Sequence, residues 1–458
     1  MTQNLTAALA DFVANLEYED LPAAVVQQAK RVLMDAVGCA LAAYKEDKRK
    51  AGVVDRIVQQ YGAAPQATVI GGEKSHASIV ALANGMLINA ADNDDTHKRA
   101  LLHVASVVVP AALATTESRG CSGRDFIVAV VAGFEVAARV GMAVMPSHYR
   151  FWHSTGTNGT FGAAASAARG FGLSAQQTCT ALGFAGTQAA GLNTFFESGD
   201  DTKSLHPGKA GMNGVLAAML AELGATSPPD ILGHPKGYLA AYSLEPKPQA
   251  LTNGLGEQWE ILSNGFKFYP SILASHSPIG ASLKIASRDR PAADRIQSVT
   301  VNTYATVKSH FSGKDVRTSM AARLSVPYCV AAALVDGKIT QAQFAPERFN
   351  DPVIRGLLDK VEVVVDPELS PLYPEKFPAR VVVIMNDGKV CEETILYPKG
   401  DPANPLSSEE LTAKFRGNLK DVLSNGQAAQ ILALIEDLEN IRIAELADCL
   451  VRNTMKVA

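Results

Sequence analysis

The sequence predicts a mainly α-helical protein with a smaller α+β part, and three observations carry that prediction. Apolar residues recur at helical spacing almost without interruption from Leu5 to Glu222. Between Gln297 and Leu396 the pattern changes to short β-branched runs with helical stretches between them. After Ser407 the helical pattern returns. The expected architecture is therefore a large all-helical domain built from residues 1–265 together with 405–458, and a smaller α/β domain over 266–404.

Taken in order, Leu5, Leu9, Phe12, Val13 and Leu16 form one helical stripe, and Leu21-Pro22 opens a second helix with proline in its first turn. Gln66 to Ile70, before Gly71-Gly72, reads as a short extended element. From Ser75 onward the helices carry small residues on their packing faces, as in Ala164–Ala168, Ala181–Ala190 and Ala210–Leu220, which lets helix axes approach closely. Ser174-Ala-Gln-Gln177 has the form of a capping box. Phe126 to Met145 is long and apolar enough to be mistaken for a membrane span, but Glu135 and Arg139 at i, i+4 are costly in lipid and ordinary in a buried soluble helix. A core helix is expected there. In the second part, Gln297–Thr303, Lys360–Val365 and Arg380–Met385 read as strands, and Asn386-Asp387-Gly388-Lys389 before Cys391–Leu396 is a hairpin signal. Leu324–Val335 and Pro352–Leu358 read as helices. Gly400 to Pro405 is a linker, and Ser407-Ser-Glu-Glu410 caps the helical tail.

The bulk properties narrow the function classes. The chain has 458 residues, 47% of them apolar and 19% charged, with a formal net charge of -4. That balance gives no footprint for nucleic acid or a membrane surface. Six scattered cysteines without a C-x-x-C pair indicate neither a disulfide framework nor a zinc site, and with no basic and apolar leader at the first residues a cytoplasmic home is expected.

The densest polar stretch is Asp92-Asn-Asp-Asp-Thr-His-Lys-Arg-Ala-Leu-Leu-His103, set between two apolar segments. As one unbroken helix it would bring Asp92, Thr96, Arg99 and His103 onto one face. A metal site is not expected: Asp94-Asp95 is followed three residues on by Lys98, so the third carboxylate of an Asp-Asp-x-x-Asp set is missing. Four more stretches stand out. Trp152-His153-Ser-Thr155-Gly-Thr-Asn-Gly159-Thr-Phe-Gly162 precedes an Ala-rich helix, and its glycines suit either a close backbone approach to an anion or helix packing. Lys203-Ser-Leu-His-Pro-Gly208 leads into a small-residue helix. Lys267-Phe-Tyr-Pro270 is followed by His276, and Tyr328 lies within Ser325-Val-Pro-Tyr328.

Together these blocks, in this order and over nearly the whole chain, resemble the MmgE/PrpD family of 2-methylcitrate dehydratases, cis-aconitate decarboxylases and iminodisuccinate epimerases. The resemblance implies a helical domain of N- and C-terminal parts with an α/β lid, as a homodimer. It also implies a site at Asp92, Thr96, His103, His153, Lys203, Lys267 and Tyr328. Two departures are visible: Val104 follows His103 where proline is frequent, and Ile272 stands where cis-aconitate decarboxylases carry a histidine.

The chemistry shared by that family is making or protonating a carbanion-like centre beside a carboxylate, which needs cations, a base and an acid. Lys203, Lys267 and Arg99 are expected to clamp a di- or tricarboxylate substrate, with Thr96, Thr155 and the Gly159 loop donating hydrogen bonds. His103 and His153 are the expected acid/base pair, Asp92 either orients one of them or keeps a lysine charged, and Tyr328 is the expected proton donor to a leaving hydroxyl. No cofactor is required. The resulting expectation is a hydro-lyase of the 2-methylcitrate dehydratase type acting on a hydroxy-polycarboxylate. An iminodisuccinate-type epimerase, a decarboxylase and a catalytically silent carboxylate-binding protein remain as alternatives.

Overall fold

The computed structural model describes residues 4–62, 64–198 and 200–452. Two hydrophobic clusters organise the chain. The larger runs from Leu9 to Phe266 and resumes from Leu406 to Leu450. The smaller is built from residues between Tyr269 and Cys391. Residues 453–458 of the expected helical tail lie outside the described residues, as do residues 1–3.

The helical part follows the apolar stripes. Leu5–Asn15 is capped by Asn4, whose side chain accepts from the Ala7 amide. The long helix Ala23–Glu46 begins one residue after Pro22, whose carbonyl accepts from Val25 and Val26. Gly123–Val144 is the apolar helix that composition alone leaves ambiguous, and 94% of its most hydrophobic window is buried inside the protein. Helix Thr202–Glu222 starts eight residues ahead of the small-residue run, taking in the whole Lys203 block with Pro207 inside the helix. It crosses Ala77–Ile88 with Gly85 against Gly208, where a Cβ on either residue would stand 2.5–2.7 Å from backbone atoms of the other helix. That close crossing carries Lys203 to the end of the Ala77–Ile88 helix.

The smaller part is a four-stranded sheet in the order Val361–Val365, Ile296–Thr303, Ala379–Met385, Val390–Ile395, with one parallel and two antiparallel pairings. The hairpin Ala379–Met385 to Val390–Ile395 turns at Gly388, whose φ of 84° suits glycine. Helices His276–Asp289 and Val326–Asp336 pack on this sheet. The mainly α chain with a smaller α/β part is thus the observed fold class.

The sequence left open whether Asp92 to His103 is a helix or a loop, and it is not a helix. Thr96 and His97 pair antiparallel with Gly265 and Asn264, His97 bridges Leu102, and both Asp92 (φ 52°) and Leu101 (φ 47°) are left-handed. In this form Asp92, His97, Lys98 and Arg99 reach partners in distant segments, while Thr96 and His103 bond to the Asp95 carbonyl within the stretch.

Candidate active site

Asp92 lies just beyond the end of helix Ala77–Ile88, fully buried. Its Oδ1 accepts from the ammonium groups of Lys203 (2.9 Å) and Lys267, while Oδ2 has no hydrogen-bond partner. Burial works to raise this carboxyl, but Lys203 and Lys267 hold it well below the usual carboxylate range. Lys267 is buried too; desolvation draws its ammonium below the ordinary value, with Asp92 opposing. Lys203 also donates to Asn89 Oδ1 (3.3 Å), and the same amide donates to both oxygens of Asp94 at 3.0 and 2.8 Å. A chain of polar contacts thereby runs from Lys203 through Asn89 to Asp94, whose Oδ2 is 3.6 Å from His103 Nδ1.

His103 lies at the end of this chain of contacts. Its Nδ1 stands 2.7 Å from the carbonyl oxygen of Asp95, an acceptor only, so Nδ1 carries the hydrogen. Burial lowers the imidazole to about 4, against the pull of Asp94 and with Lys267 and Lys203 adding to the fall. A neutral ring with hydrogen on Nδ1 has its lone pair on Nε2, on a residue that lines a small cavity of about 50 Å3. Thr155 accepts from the His103 amide at 3.2 Å. Asp95 accepts from Ala105 with both oxygens at 3.0 Å, fixing the start of the next helix.

The cavity lies between the two clusters. Thr96, Leu101, His103 and Tyr149 face it from one side and Lys267, Ile272, Tyr304, Phe311, Tyr373 and Phe377 from the other. Tyr149 is partly buried, and its hydroxyl makes no hydrogen bond among the described residues. Burial, Tyr373 and Asp92 all push that phenol up, so it stays protonated. Tyr304 and Tyr373 stack with centroids 4.3 Å apart. These tyrosines are functional candidates that the sequence reading missed. Tyr149 had one available signal, its place three residues ahead of the Trp152-His153 block.

The other residues singled out in the sequence fall elsewhere. His153 is next to His103 with ring centroids 6.3 Å apart, but its Nδ1 pairs with His206 Nδ1 at 2.9 Å and it does not line the cavity. Burial drives it well below its ordinary value, with His206, Lys203 and His103 adding. Thr155 is fully buried and holds His103 rather than facing the cavity.

Three expectations are corrected. Arg99 is outside the cavity lining and donates to Glu260 at 2.5 Å, because the Thr96–His97 strand just before it pairs with Asn264–Gly265, which follows the Glu260 turn. Its neighbour Lys98 reaches Asp401 (3.3 Å) and the Glu375 carbonyl. Tyr328 is buried in the smaller cluster and donates to the Gln343 carbonyl, far from being a free acid. Gly159 forms no anion loop: it lies inside helix Ser154–Gly170, where a Cβ would press on Val107 at 3.0 Å, and the next glycine, Gly162, meets Ala137 in the same way. Its smallness serves helix packing. His276 is buried against Tyr269 and outside the cavity lining. Among the described residues no three of His, Cys, Asp and Glu converge as a metal-binding group.

The helical part and the sheet part thus meet at a cavity lined by a neutral histidine and one lysine, with a buried carboxylate and a second lysine paired behind that lysine, an arrangement suited to acid/base chemistry on an anionic substrate. The MmgE/PrpD N-terminal domain pattern matches residues 7–251 and the MmgE/PrpD C-terminal domain pattern matches residues 269–440, and the chain belongs to the MmgE/PrpD family. It is 31% identical to the cis-aconitate decarboxylase-like protein oryM of Aspergillus oryzae, over 95% of each chain. It is 28% identical to the cis-aconitate decarboxylase of Homo sapiens, over 99% of this chain and 95% of that one. An alkylcitrate dehydratase, phiI, from a fungal species is 25% identical over 61% of this chain and 58% of its own length.

Proposed function

We propose that this protein is a cofactor-independent lyase that dehydrates a hydroxycarboxylate through a carbanion-like centre next to a carboxylate. The observation that carries the reading is the hydrogen bond from His103 Nδ1 to the Asp95 carbonyl, which makes Nε2 the basic atom of a residue lining the same cavity as Lys267. His103 Nε2 removes the proton from the carbon beside the carboxylate. The electron pair moves toward that carboxylate, where the Lys267 ammonium offsets the developing charge. The carbon–oxygen bond then breaks, and hydroxide leaves with the proton of the Tyr149 hydroxyl as water. Transfer of the His103 proton to the Tyr149 phenolate restores both groups. Asp92 keeps Lys203 and Lys267 charged in a buried setting, and Asn89 with Asp94 orients His103.

A second reading, decarboxylation, is favoured by the names of the relatives that span the whole chain. The two share the carbanion and differ in what departs. Ile272 lines the cavity with an aliphatic side chain and offers no proton donor there.

Turnover of methylcitrate, citrate, cis-aconitate and iminodisuccinate in D2O, followed by proton NMR, separates the possibilities. Dehydration gives an alkene with loss of water, decarboxylation gives carbon dioxide, and epimerisation washes deuterium into the recovered acid. His103→Ala is expected to lower kcat by at least about 100-fold with an unchanged melting temperature. Near-normal turnover by that variant defeats the proposal.

A further inference from the structure

Lys414 is a buried ammonium near the site but outside the cavity lining. It lies on the tail helix Ser408–Leu419, and its side chain is 7% exposed. Its nitrogen donates to the Asn93 carbonyl at 2.6 Å, across 321 residues of sequence, and stands 2.6 Å from Asp35 Oδ1. Burial works against this charge, but Asp35 overcomes it and holds the ammonium above its ordinary value.

Helical spacing brings these groups together. On the long helix Ala23–Glu46, Asp35, Gly38 and Cys39 fall on one face. A Cβ at Gly38 would stand 3.0 Å from the Phe415 ring, so glycine lets the tail helix sit close at this point. Lys414 and Asn418 share a face of that tail helix, and both turn to Asn93. The Asn93 side chain donates to Asn418 Oδ1 at 3.4 Å, and Cys39 Sγ donates to the Asn93 carbonyl at 3.4 Å.

Asn93 stands between the two carboxylates that furnish the site. Before it comes Asp92, which pairs with Lys203 and Lys267 from a left-handed backbone of φ 52°. After it comes Asp94, 3.6 Å from His103 Nδ1. A left-handed residue other than glycine is strained and persists only where its surroundings hold it. Lys414 grips the first carbonyl beyond that strained residue.

We propose that Lys414 is a positioning residue of the active site. Its bond to the Asn93 carbonyl holds the Asp92 turn, and through the turn it sets Lys267 and His103 for reaction. In a merely structural role, the Lys414–Asp35 pair would only fasten the tail helix to Ala23–Glu46. The effect on turnover rests on the lyase reading of the same site, whereas the hold on the turn does not.

Two variants separate the bond from the ion pair. Asp35→Asn removes the carboxylate and keeps the Lys414 nitrogen on the Asn93 carbonyl. Asp35→Asn/Lys414→Met removes both charges, so that neither is left buried and unpaired, and loses the bond. Amide hydrogen exchange of the full chain is read by mass spectrometry on peptides within residues 89–104. It is expected to quicken at least about tenfold in the double variant and to stay within about threefold in Asp35→Asn. Exchange in helix Gly123–Val144 is expected to stay unchanged in both. Turnover follows, with kcat at least about tenfold lower in the double variant and within about threefold of normal in the single one. Equal behaviour of the two variants, exchange that quickens throughout the chain, or a loosened turn with normal kcat overturns the proposal. Should Asp35→Asn not fold, the double variant against the unmodified protein decides by the same local readout. Unmodified protein that turns over none of methylcitrate, citrate, cis-aconitate and iminodisuccinate defeats the lyase reading alone. The exchange comparison then still decides whether Lys414 holds the turn.

Discussion

Two buried ionic clusters in this molecule invite comparison. In the helical core, Arg139 donates to Glu135 at 3.1 Å and to the carbonyls of Asn253, Gly254 and Gln258 at 2.7–3.2 Å, while Glu135 Oε1 accepts from the Glu260 amide. Each charged group there is surrounded by fixed partners. At the junction of the two clusters, Asp92 draws two lysines onto one oxygen, leaves the other without a partner, and holds a left-handed backbone to do so. Burial pushes Glu135 up to about 7 although Arg139 opposes it, whereas Asp92 is held down by its lysines despite equal burial. The difference teaches that a saturated pair fastens segments together, and an incompletely satisfied one beside a cavity keeps charge available for a ligand.

The largest effect expected from breaking this contrast is at Asp92. Asp92→Asn leaves two buried ammoniums without their carboxylate, and should lower stability by about 3–5 kcal/mol. It should also lower kcat by roughly 100-fold, since Lys267 is no longer held charged at the cavity. Urea melts and steady-state kinetics check both, and a variant with normal turnover would dissolve the distinction drawn here. Arg139→Met should cost a similar about 3–5 kcal/mol in urea melts, yet leave kcat of the folded fraction unchanged. A kcat loss at that site would mean that the saturated cluster also reaches the chemistry.

A smaller effect sharpens the cavity side. Tyr149→Phe should reduce kcat by roughly 10- to 100-fold as the leaving hydroxide loses its donor. Tyr328→Phe should instead cost about 1–2 kcal/mol of stability through the lost bond to the Gln343 carbonyl, with kcat intact. The pH response is gentlest near neutrality. The His103 base must be neutral, and with its folded value near 4, kcat/KM should be flat from pH 5 to 8 as far as this group is concerned and fall only as pH drops through about 4. The sign for stability is the same. A histidine lowered from about 6.5 unfolded to about 4 folded binds its proton better when unfolded, so its contribution is complete above about 6.5 and is lost as pH falls toward 4. His148 and His206, also near 4, and His276, near 3, act in the same direction. A melting temperature that rises on acidification over that window would contradict these buried neutral rings.

Sequence periodicity made much of this fold legible. The helix Gly123–Val144, the capping boxes at Ser174 and Ser407 and the Gly388 hairpin are local matters, decided by spacing and turn chemistry within a few residues. The site was legible only as an inventory of blocks. Asp92, Lys203 and Lys267 converge because Gly85 and Gly208 let two helices cross closely and because Lys267 follows the strand that pairs with Thr96. Neither event has a signature in the residues' own neighbourhood. The glycines of the Trp152 block looked equally suited to an anion and to packing, and only the presence of Val107 and Ala137 against them decided it.

By itself the sequence determined the mainly helical class, the shift to strands near Gln297 and the identity of the groups able to hold charge. Those follow from backbone propensity and from side-chain chemistry, which travel with each residue. The tertiary structure decided which charges face a cavity and which are tied off. It turned Arg99 toward Glu260, buried Tyr328 against the Gln343 carbonyl and brought Tyr149 into the lining of the same cavity as Lys267. Orientation and desolvation depend on segments distant in the chain, and these alone separate His103, which lines the cavity, from His153, which is buried beside it against His206.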